Sequence, residues 1–330
     1  MNNNISKKHH YIPRFFLKSF ARKEGKKYIV NVFNKKNLNK FPENIDNIGY
    51  IKNFHTIKIN GKNTDFIEKV HNEIYEKRYS KQYKHILNKL ENIRQDIKAI
   101  NCLSNKRYAE IYLNTGISKN DKSFISILLA YFIVRGKKWR EFGEEAHKKT
   151  EELMTEVGKA YKIKNIEENI RNEIGNIEGI KYAQIFATFD GEEIMKIANY
   201  LYKHTWNIGF NMTDNLFYTS DNAHALTTMW KEQPKYWGVG YITPGNIVIF
   251  PLSPTICVIM YDSLFLMNKK MNIIDKNFVE LYEKDVTAIN DEMILNSIDQ
   301  VYSKDGNWNN LDECYKINNM KKGHKPYKIQ

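Results

Sequence analysis

The feature that most constrains the fold is an uninterrupted, largely apolar run of 11 residues, FISILLAYFIV, at positions 124–134. Ser126 is its one polar side chain, and the run lies inside a longer helical pattern over residues 119–158. A helix that is apolar on every side has no face to turn toward water, so other parts of the chain must cover it. A bilayer requires about 20 apolar residues, which excludes this run as a transmembrane span. The run therefore predicts a buried central helix.

Helical periodicity continues on both sides of this run. Over residues 64–94, apolar side chains recur near every 3.6 positions, and Thr64 is a candidate N-cap. Together these segments predict a block of helices in the middle of the chain. Shorter helical stretches are predicted at 104–114, 163–177 and 190–204.

Strand patterns flank the helical block. The segment YIVNVF at 28–33 and the loosely alternating residues 48–61 precede it. After residue 206, WNIGFNMT and LFYTSD are predicted strands, and residues 246–262 are predicted to form two strands around a corner marked by Pro251 and Pro254. An amphipathic helix over 284–303 is predicted to close this sheet.

This order of elements predicts an α+β protein with an antiparallel or mixed C-terminal sheet. We expect one domain over residues 1–330. Its three parts are a basic N-terminal segment at 1–62, a helical block at 63–205, and a sheet with its closing helix at 206–330.

Positive charge is concentrated near the N-terminus. The chain carries a net charge of +13, and residues 1–62 contain 14 lysines and arginines against three acidic residues. Such a basic segment favours a phosphate-rich partner, and we expect nucleic acid. A solvated lysine-rich surface would give the same count, so this alternative stays open.

Cysteine usage and the first residues indicate a cytoplasmic protein. Three widely spaced cysteines without a CxxC pair fit a reducing compartment and disfavour a thiolate zinc site. Residues 1–10 are polar and show no secretory leader pattern, and we expect no membrane association. The sequence also lacks the P-loop, GxGxxG and GxSxG patterns, which argues against P-loop NTPases, Rossmann dehydrogenases and α/β-hydrolases.

Two adjacent histidines, His9 and His10, precede an apolar and basic run in the segment HHYIPRFF. Pro13 predicts the start of a helix over 13–22. Backbone amides at a helix start, together with Arg14, favour an anion such as phosphate. One histidine could then transfer a proton or bind a divalent metal, and the alternative is a capping or packing role. His9 and His10 are therefore candidate catalytic residues, and Arg14 is a candidate substrate-binding residue.

A dense polar segment, TSDN, follows the predicted strand at 216–218. Asp221 could act as a general base or a metal ligand, with Ser220 and Asn222 orienting the substrate. Ser, Asp and Asn also favour ordinary turns through their own side-chain hydrogen bonds, and this alternative stays open. The other histidines show no HxH or HExxH spacing, and we retain His224 as an additional candidate because it lies near Asp221.

Charged residues on the predicted helices supply further candidates. Glu68 and Glu76 are eight positions apart and share a helix face, so they could bind a divalent cation, Mg²⁺ or Mn²⁺, together with Asp221. Arg135 ends the apolar run and could pair with one of these acids or with a substrate phosphate. The alternative for both glutamates is an ordinary ion pair on a solvated helix face.

The segments HHYIPRFFLKSFA, LLAYFIVR, LFYTSDNA, IFPLSP and AINDEMILNSIDQVYS occur in this order. Over residues 9–303 the chain resembles the bacterial family catalogued as domain of unknown function 4238. The resemblance implies an intracellular protein, since members occur in anti-phage defence loci. It also implies that the HHYIP, TSDN and PLSP residues occupy the characteristic positions of the family pattern. This sequence departs from that pattern at Ala223-His224, where proline and valine are usual.

These observations favour a nucleic-acid-directed effector, expected to be a metal-dependent nuclease in anti-phage defence. In this hypothesis His9 or His10 acts as general acid, base or ligand, and a metal on Asp221, with Glu68 or Glu76, activates water. A second hypothesis is a non-catalytic module that binds or senses a nucleic acid or a phage protein. An enzyme that acts on a nucleotide or a protein is a third. Replacement of His10 or Asp221 by alanine should abolish cleavage but preserve folding under the first hypothesis.

Overall fold

The computed structural model describes residues 7–59, 62–102, 117–161, 177–229, 240–308 and 311. Its elements confirm the predicted α+β class, with strands on both sides of a helical block. None of the described helices is both long and apolar enough to cross a membrane. The α-helices are α1 (Arg14–Leu17), α2 (Phe66–Val70), α3 (Lys77–Cys102), α4 (Lys119–Arg135), α5 (Lys137–Ala160), α6 (Ile177–Asp190), α7 (Glu192–Lys203), α8 (Ser263–Asn268) and α9 (Glu283–Asn296).

The larger sheet is mixed and lies in the C-terminal part of the chain. Its order is β10-β11-β12-β8-β13, with antiparallel neighbours except for the parallel pair β8–β13. Because β8 and β13 are parallel, the chain must cross from one end of the sheet to the other between them, and α8 lies in this crossover connection. The strands are β8 (Thr205–Asn211), β10 (Ala225–Thr228), β11 (Asn246–Ser253), β12 (Ile256–Tyr261) and β13 (Asn277–Leu281).

A second sheet joins the two ends of the described chain. The N-terminal strand β3 pairs with the C-terminal strand β14, which in turn pairs with β9, and β2 and β4 also pair with β3. Two small antiparallel pairs, β1–β5 and β6–β7, complete the sheets. These strands are β1 (Lys8–His10), β2 (Arg22–Glu24), β3 (Lys27–Asn34), β4 (Lys40–Asn44), β5 (Tyr50–Lys52), β6 (Ile57–Ile59), β7 (Lys62–Thr64), β9 (Thr219–Ser220) and β14 (Gln300–Ser303).

The predicted buried helix is α4, and it packs at the centre of the main core. Leu128, Leu129 and Val134 are fully buried, and they share one cluster with Val248 and Phe250 of β11. Alternate residues of a strand point to opposite faces, so the intervening residues of β11 contact a second cluster under α9. The larger sheet is therefore covered on both faces, by the helical block on one side and by α9 on the other.

Several predicted boundaries were wrong. The closing helix predicted over 284–303 ends at Asn296, because Val301 and Tyr302 are buried in β14 between β3 and β9. The helix predicted over 13–22 is shorter: its α-helical part ends at Leu17, and a 3₁₀ turn follows as far as Phe20. Pro251 lies within β11, where a bulge follows it, and not at the corner.

The long helix predicted over 64–94 is interrupted. It begins after Asp65, not after Thr64, and a π-helical segment, His71–Glu76, separates α2 from α3. A π turn closes over five residues instead of four, so it shifts the faces of the two flanking helices relative to each other. The predicted helix at 104–114 and nearly all of the one at 163–177 lie outside the described residues.

Candidate metal centre and adjoining basic cleft

Three buried side chains from separate segments could hold a metal ion: His9, His55 and Glu68. Each offers one ligand atom, and these atoms all lie within 4.8 Å of one another. His9 is placed by the pairing of β1 with β5, His55 follows β5, and Glu68 lies in α2. Their exposed fractions are 0%, 2% and 2%, so the group is closed from solvent.

Hydrogen bonds fix the orientation of this group. The His55 backbone N–H donates to His9 Nδ1 at 2.8 Å, so this nitrogen carries no proton. The His55 ring meets the Glu68 carboxylate, with 2.8 Å between Nδ1 and Oε2. Burial, and then the nearby Arg135 guanidinium, hold the pKa of His55 well below its usual range. A neutral imidazole has the lone pair that a metal requires, so two imidazoles and one carboxylate form a donor set suited to a transition metal.

A second layer of polar residues surrounds the candidate centre. One Arg135 terminal nitrogen donates to the Tyr131 hydroxyl at 2.8 Å and to Glu76 Oε1 at 3.1 Å, and the other lies 3.9 Å from Glu68 Oε2. The Tyr131 hydroxyl also forms a hydrogen bond with His71 Nδ1, 2.8 Å away. Burial and Arg135 lower the pKa of His71. Burial acts to lower the pKa of Arg135, but Tyr131 and the two carboxylates raise it.

The π-helical segment places side chains on both sides of this network. Its first residue, His71, is fully buried, whereas Asn72 is half-buried and lines a cleft. The Asn72 amide reaches Glu68 Oε1 at 3.4 Å, and the backbone N–H of His10 reaches the same oxygen at 3.4 Å. Glu76, the last residue of the segment, lines the cleft and also binds Arg135. The segment therefore connects the buried group with the cleft.

The cleft has a volume of about 1040 Å³ and lies between the N-terminal segment and the start of α3. Six cationic side chains line it against three acidic ones, Asp46, Glu73 and Glu76. This excess gives the cleft a positive potential, which favours anions. The six cations are Arg14, Lys18, Lys26, Lys77, Lys81 and Lys84.

His10 is buried beside the cleft, and its ring lies 5.8 Å from that of Tyr50. Its Nε2 has no hydrogen-bond partner among the described residues. Burial, followed by the charge of Arg14, lowers the pKa of His10 to about 4, so the ring is neutral near pH 7. Arg14 lines the cleft and pairs with Asp46 at 3.2 Å. Pro13 is the N-cap of α1, so the helix begins one residue after the start that the sequence predicts.

Asp221 occupies a different place, at the start of β14. Its carboxylate accepts hydrogen bonds from the backbone N–H groups of Ile298, Asp299 and Gln300 at 2.8, 2.7 and 2.9 Å. Burial raises the pKa of Asp221 to about 6, although these three donors act to lower it. The carboxylate therefore holds the connection between α9 and β14.

The neighbours of Asp221 make similar local bonds. The Ser220 hydroxyl donates to the Asn222 carbonyl oxygen at 2.6 Å, and the Asn222 amide donates to the carbonyl oxygens of His224 and Asn296. The His224 ring contacts the Tyr241 hydroxyl at 2.5 Å. The Ser220–Asn222 and Asn222–His224 contacts are of the turn-forming kind that the alternative interpretation of TSDN predicts, whereas those with Asn296 and Tyr241 join distant segments.

The structure thus brings together only some of the predicted site residues. Of the three predicted metal ligands, Glu68 lies in the candidate group, and Asp221 and Glu76 do not. His9 joins Glu68, and Arg135 bridges the two glutamates. The sequence does not identify His55 as a ligand, because it shows no HxH or HExxH spacing. The three segments that build the group meet only in the folded chain.

Comparison with known proteins identifies a family. A family model described as "Protein of unknown function (DUF4238)" matches residues 8–307, which include His9, His55, Glu68 and Asp221. No curated protein and no solved structure matches the chain.

Proposed function

Given that the chain belongs to the DUF4238 family, we propose that it is a nucleic-acid-directed effector with metal-dependent nuclease activity. The observation that carries this proposal is the position of a buried His–His–Glu group directly behind the wall of a basic cleft. Asn72 and Glu76 belong to that wall and also contact the group or its arginine. A polyanion in the cleft would thus lie one side chain away from a metal bound there.

The residues divide into two roles under this proposal. His9, His55 and Glu68 would hold the metal, which when bound would lower the pKa of a water molecule and produce a nucleophile. Two nitrogen ligands and one oxygen ligand favour Mn²⁺, Fe²⁺ or Zn²⁺ over Mg²⁺, which prefers oxygen ligands and retains several waters. Arg14 and the cleft lysines would hold backbone phosphates. His10, whose buried Nε2 has no hydrogen-bond partner among the described residues, would orient a water molecule beside the group.

The first experiment measures cleavage of labelled RNA and DNA oligonucleotides by the purified chain with Mn²⁺, with Mg²⁺ and with EDTA. We expect cleavage with Mn²⁺, loss of cleavage with EDTA, and a decrease of about a hundredfold or more in His55→Gln and Glu68→Gln. His85→Gln is the control, because His85 is an exposed residue of α3. Undiminished cleavage by His55→Gln in EDTA would remove the proposed metal centre.

A second candidate is a non-catalytic module that binds nucleic acid or a phage protein. It is favoured by the closure of the group, since His9, His55 and Glu68 are at most 2% exposed and are bonded to each other. In this case His55→Gln would lower the melting temperature markedly, and no metal would produce cleavage. We further propose that the protein acts in the cytoplasm in anti-phage defence, which rests on its family resemblance and sparse cysteines.

A further inference from the structure

Three lysines of α3 form a row along the basic cleft. Lys77, Lys81 and Lys84 are exposed, line the cleft, and occupy positions i, i+4 and i+7 of the helix. At a rise of about 1.5 Å per residue, successive members of the row are separated by about 6 and about 4.5 Å along the helix axis. Side chains at this spacing lie on one helix face, so the row presents three like charges to the same ligand.

This row differs from exposed lysines elsewhere on helices that are paired with an acid. Lys149 pairs with Glu145 at 2.6 Å and Lys196 with Glu192 at 3.0 Å, both within one helical turn. In the part of the chain that the structure describes, none of the three row lysines forms an ion pair with an acidic side chain. Like charges one turn apart destabilise a helix by a few tenths of a kcal/mol per pair, unless an external anion neutralises them.

Aromatic side chains interleave with the charges that the N-terminal segment contributes. Phe15 and Tyr28 are half-buried and line the cleft beside Arg14, Lys18 and Lys26. The Lys18 ammonium lies over the Tyr28 ring, 5.0 Å from its centre, so a cation and an aromatic ring line the same part of the cleft. Phosphate-binding cations beside aromatic rings are the combination that binds single-stranded nucleic acids, because unpaired bases expose faces that can stack.

We propose that the cleft binds a single-stranded nucleic acid, with backbone phosphates on Lys77, Lys81 and Lys84 and bases stacked on Tyr28 or Phe15. This inference rests on the proposed nucleic-acid-directed function and specifies its substrate. A duplex keeps its base faces stacked internally, so it can use the lysine row but not the rings. The cleft should therefore prefer a single strand over a duplex of the same length and charge density.

The test is fluorescence anisotropy with labelled 20-nucleotide single strands of RNA and DNA and the matching duplexes, in EDTA so that no cleavage occurs. We expect a single strand to bind at least about tenfold more tightly than its duplex. The triple variant Lys77→Gln/Lys81→Gln/Lys84→Gln should reduce the slope of log K against log salt by about 2, because each phosphate contact contributes about 0.7. The control is Lys148→Gln/Lys149→Gln/Lys196→Gln, which removes equal charge outside the cleft and should keep the wild-type slope.

Tyr28→Leu separates stacking from charge. It should weaken single-strand binding about fivefold or more while leaving the salt slope unchanged. Equal or tighter binding of the duplex, or an equal loss in the control variant, would overturn the inference. Because binding is measured in EDTA, its result does not depend on cleavage: a single-strand preference here, with no cleavage in the separate Mn²⁺ assay, would refute the nuclease proposal and support this one. Cleavage confined to duplexes would support the nuclease proposal and refute the single-strand inference.

Discussion

At the scale of single residues, the buried ionisable groups differ in how their charge is stabilised. Asp221 depends on three backbone donors, whereas Arg135 depends on two carboxylates and a hydroxyl. Glu292, in α9, has weaker support: the Thr227 hydroxyl donates to Oε1 at 3.1 Å, and the Asn296 amide is 3.4 Å from Oε2. The consequences of substitution should differ accordingly.

Asp221→Asn should destabilise the fold by about 2 kcal/mol or more. The three donors use both carboxylate oxygens, and an amide offers one oxygen and directs its NH₂ at a remaining N–H group. Urea unfolding at pH 7 measures the loss, with Asp214→Asn at an exposed position as the control. An unchanged unfolding midpoint together with lost nuclease activity would instead support the catalytic role predicted for Asp221.

Glu292→Gln should stabilise the protein at high pH and not at low pH. Burial raises the pKa of Glu292 to about 7 from 4.5, so the folded state binds a proton more readily than the unfolded state. The raised pKa gives the wild-type protein a stabilising contribution from protonated Glu292. This contribution is fully present below about pH 4.5 and is lost as the pH rises through about 7. At pH 8 the variant should therefore exceed the wild type by up to about 3 kcal/mol.

This gain should disappear near pH 4.5, which urea titrations at both pH values would detect. The exposed Glu156→Gln provides the matched control, and it should follow the wild type at both pH values. A gain of the same size at pH 4.5 and pH 8 would show that charge at residue 292 is not its cause.

At the scale of elements, the contact between the start of α3 and the end of α4 depends on a buried ion pair. Arg135, the last residue of α4, meets Glu76 at the end of the π-helical segment, just before α3 begins. Removing one member of such a pair leaves the other charged and buried, which costs more than removing both. The contact between the two helices therefore depends on Arg135 and Glu76 together.

A double-mutant cycle should reveal this coupling. We expect Arg135→Met to cost about 3–5 kcal/mol, and the double variant Arg135→Met/Glu76→Gln to cost less than the sum of the two single changes by about 2 kcal/mol. Urea unfolding of the four proteins gives the coupling energy. If the two single losses of unfolding free energy simply add, the ion pair contributes nothing to the contact between the helices.

The elements also show what sequence patterns can reveal. Helix α4 and strand β3 were predicted because a continuous apolar run and a β-branched run leave few alternatives. Strand β14 was predicted as helix, because its four residues continue the amphipathic pattern of α9 and its partners lie more than 70 residues away. Of the candidate metal group, His9 and Glu68 were predicted site residues, but His55 escaped prediction for the same reason: it has no spacing to the other two that the sequence could display.

At the scale of the whole molecule, the candidate centre connects β1, the turn after β5 and α2. A metal bound there would stabilise the native state but not the unfolded chain, in which the three ligands are far apart. Saturation at about 100 times Kd is worth about 2.7 kcal/mol. We expect Mn²⁺ or Zn²⁺ to raise the melting temperature by several degrees, in proportion to the logarithm of the metal concentration.

His55→Gln should abolish this metal-dependent increase, and His85→Gln should preserve it. Differential scanning fluorimetry after EDTA treatment, with each metal titrated back, provides the measurement. An equal increase in the His55 variant would place the metal elsewhere on the protein.

The pairing of β3 with β14 has a consequence for synthesis. Strand β3 is translated more than 260 residues before β14, which begins at Gln300, so this sheet cannot close until residues 300–303 have left the ribosome. At about 5–20 residues per second, the early strand waits for tens of seconds. A truncated product that ended before Gln300 would lack β14, and β3 would then have neither this partner nor the link through it to β9.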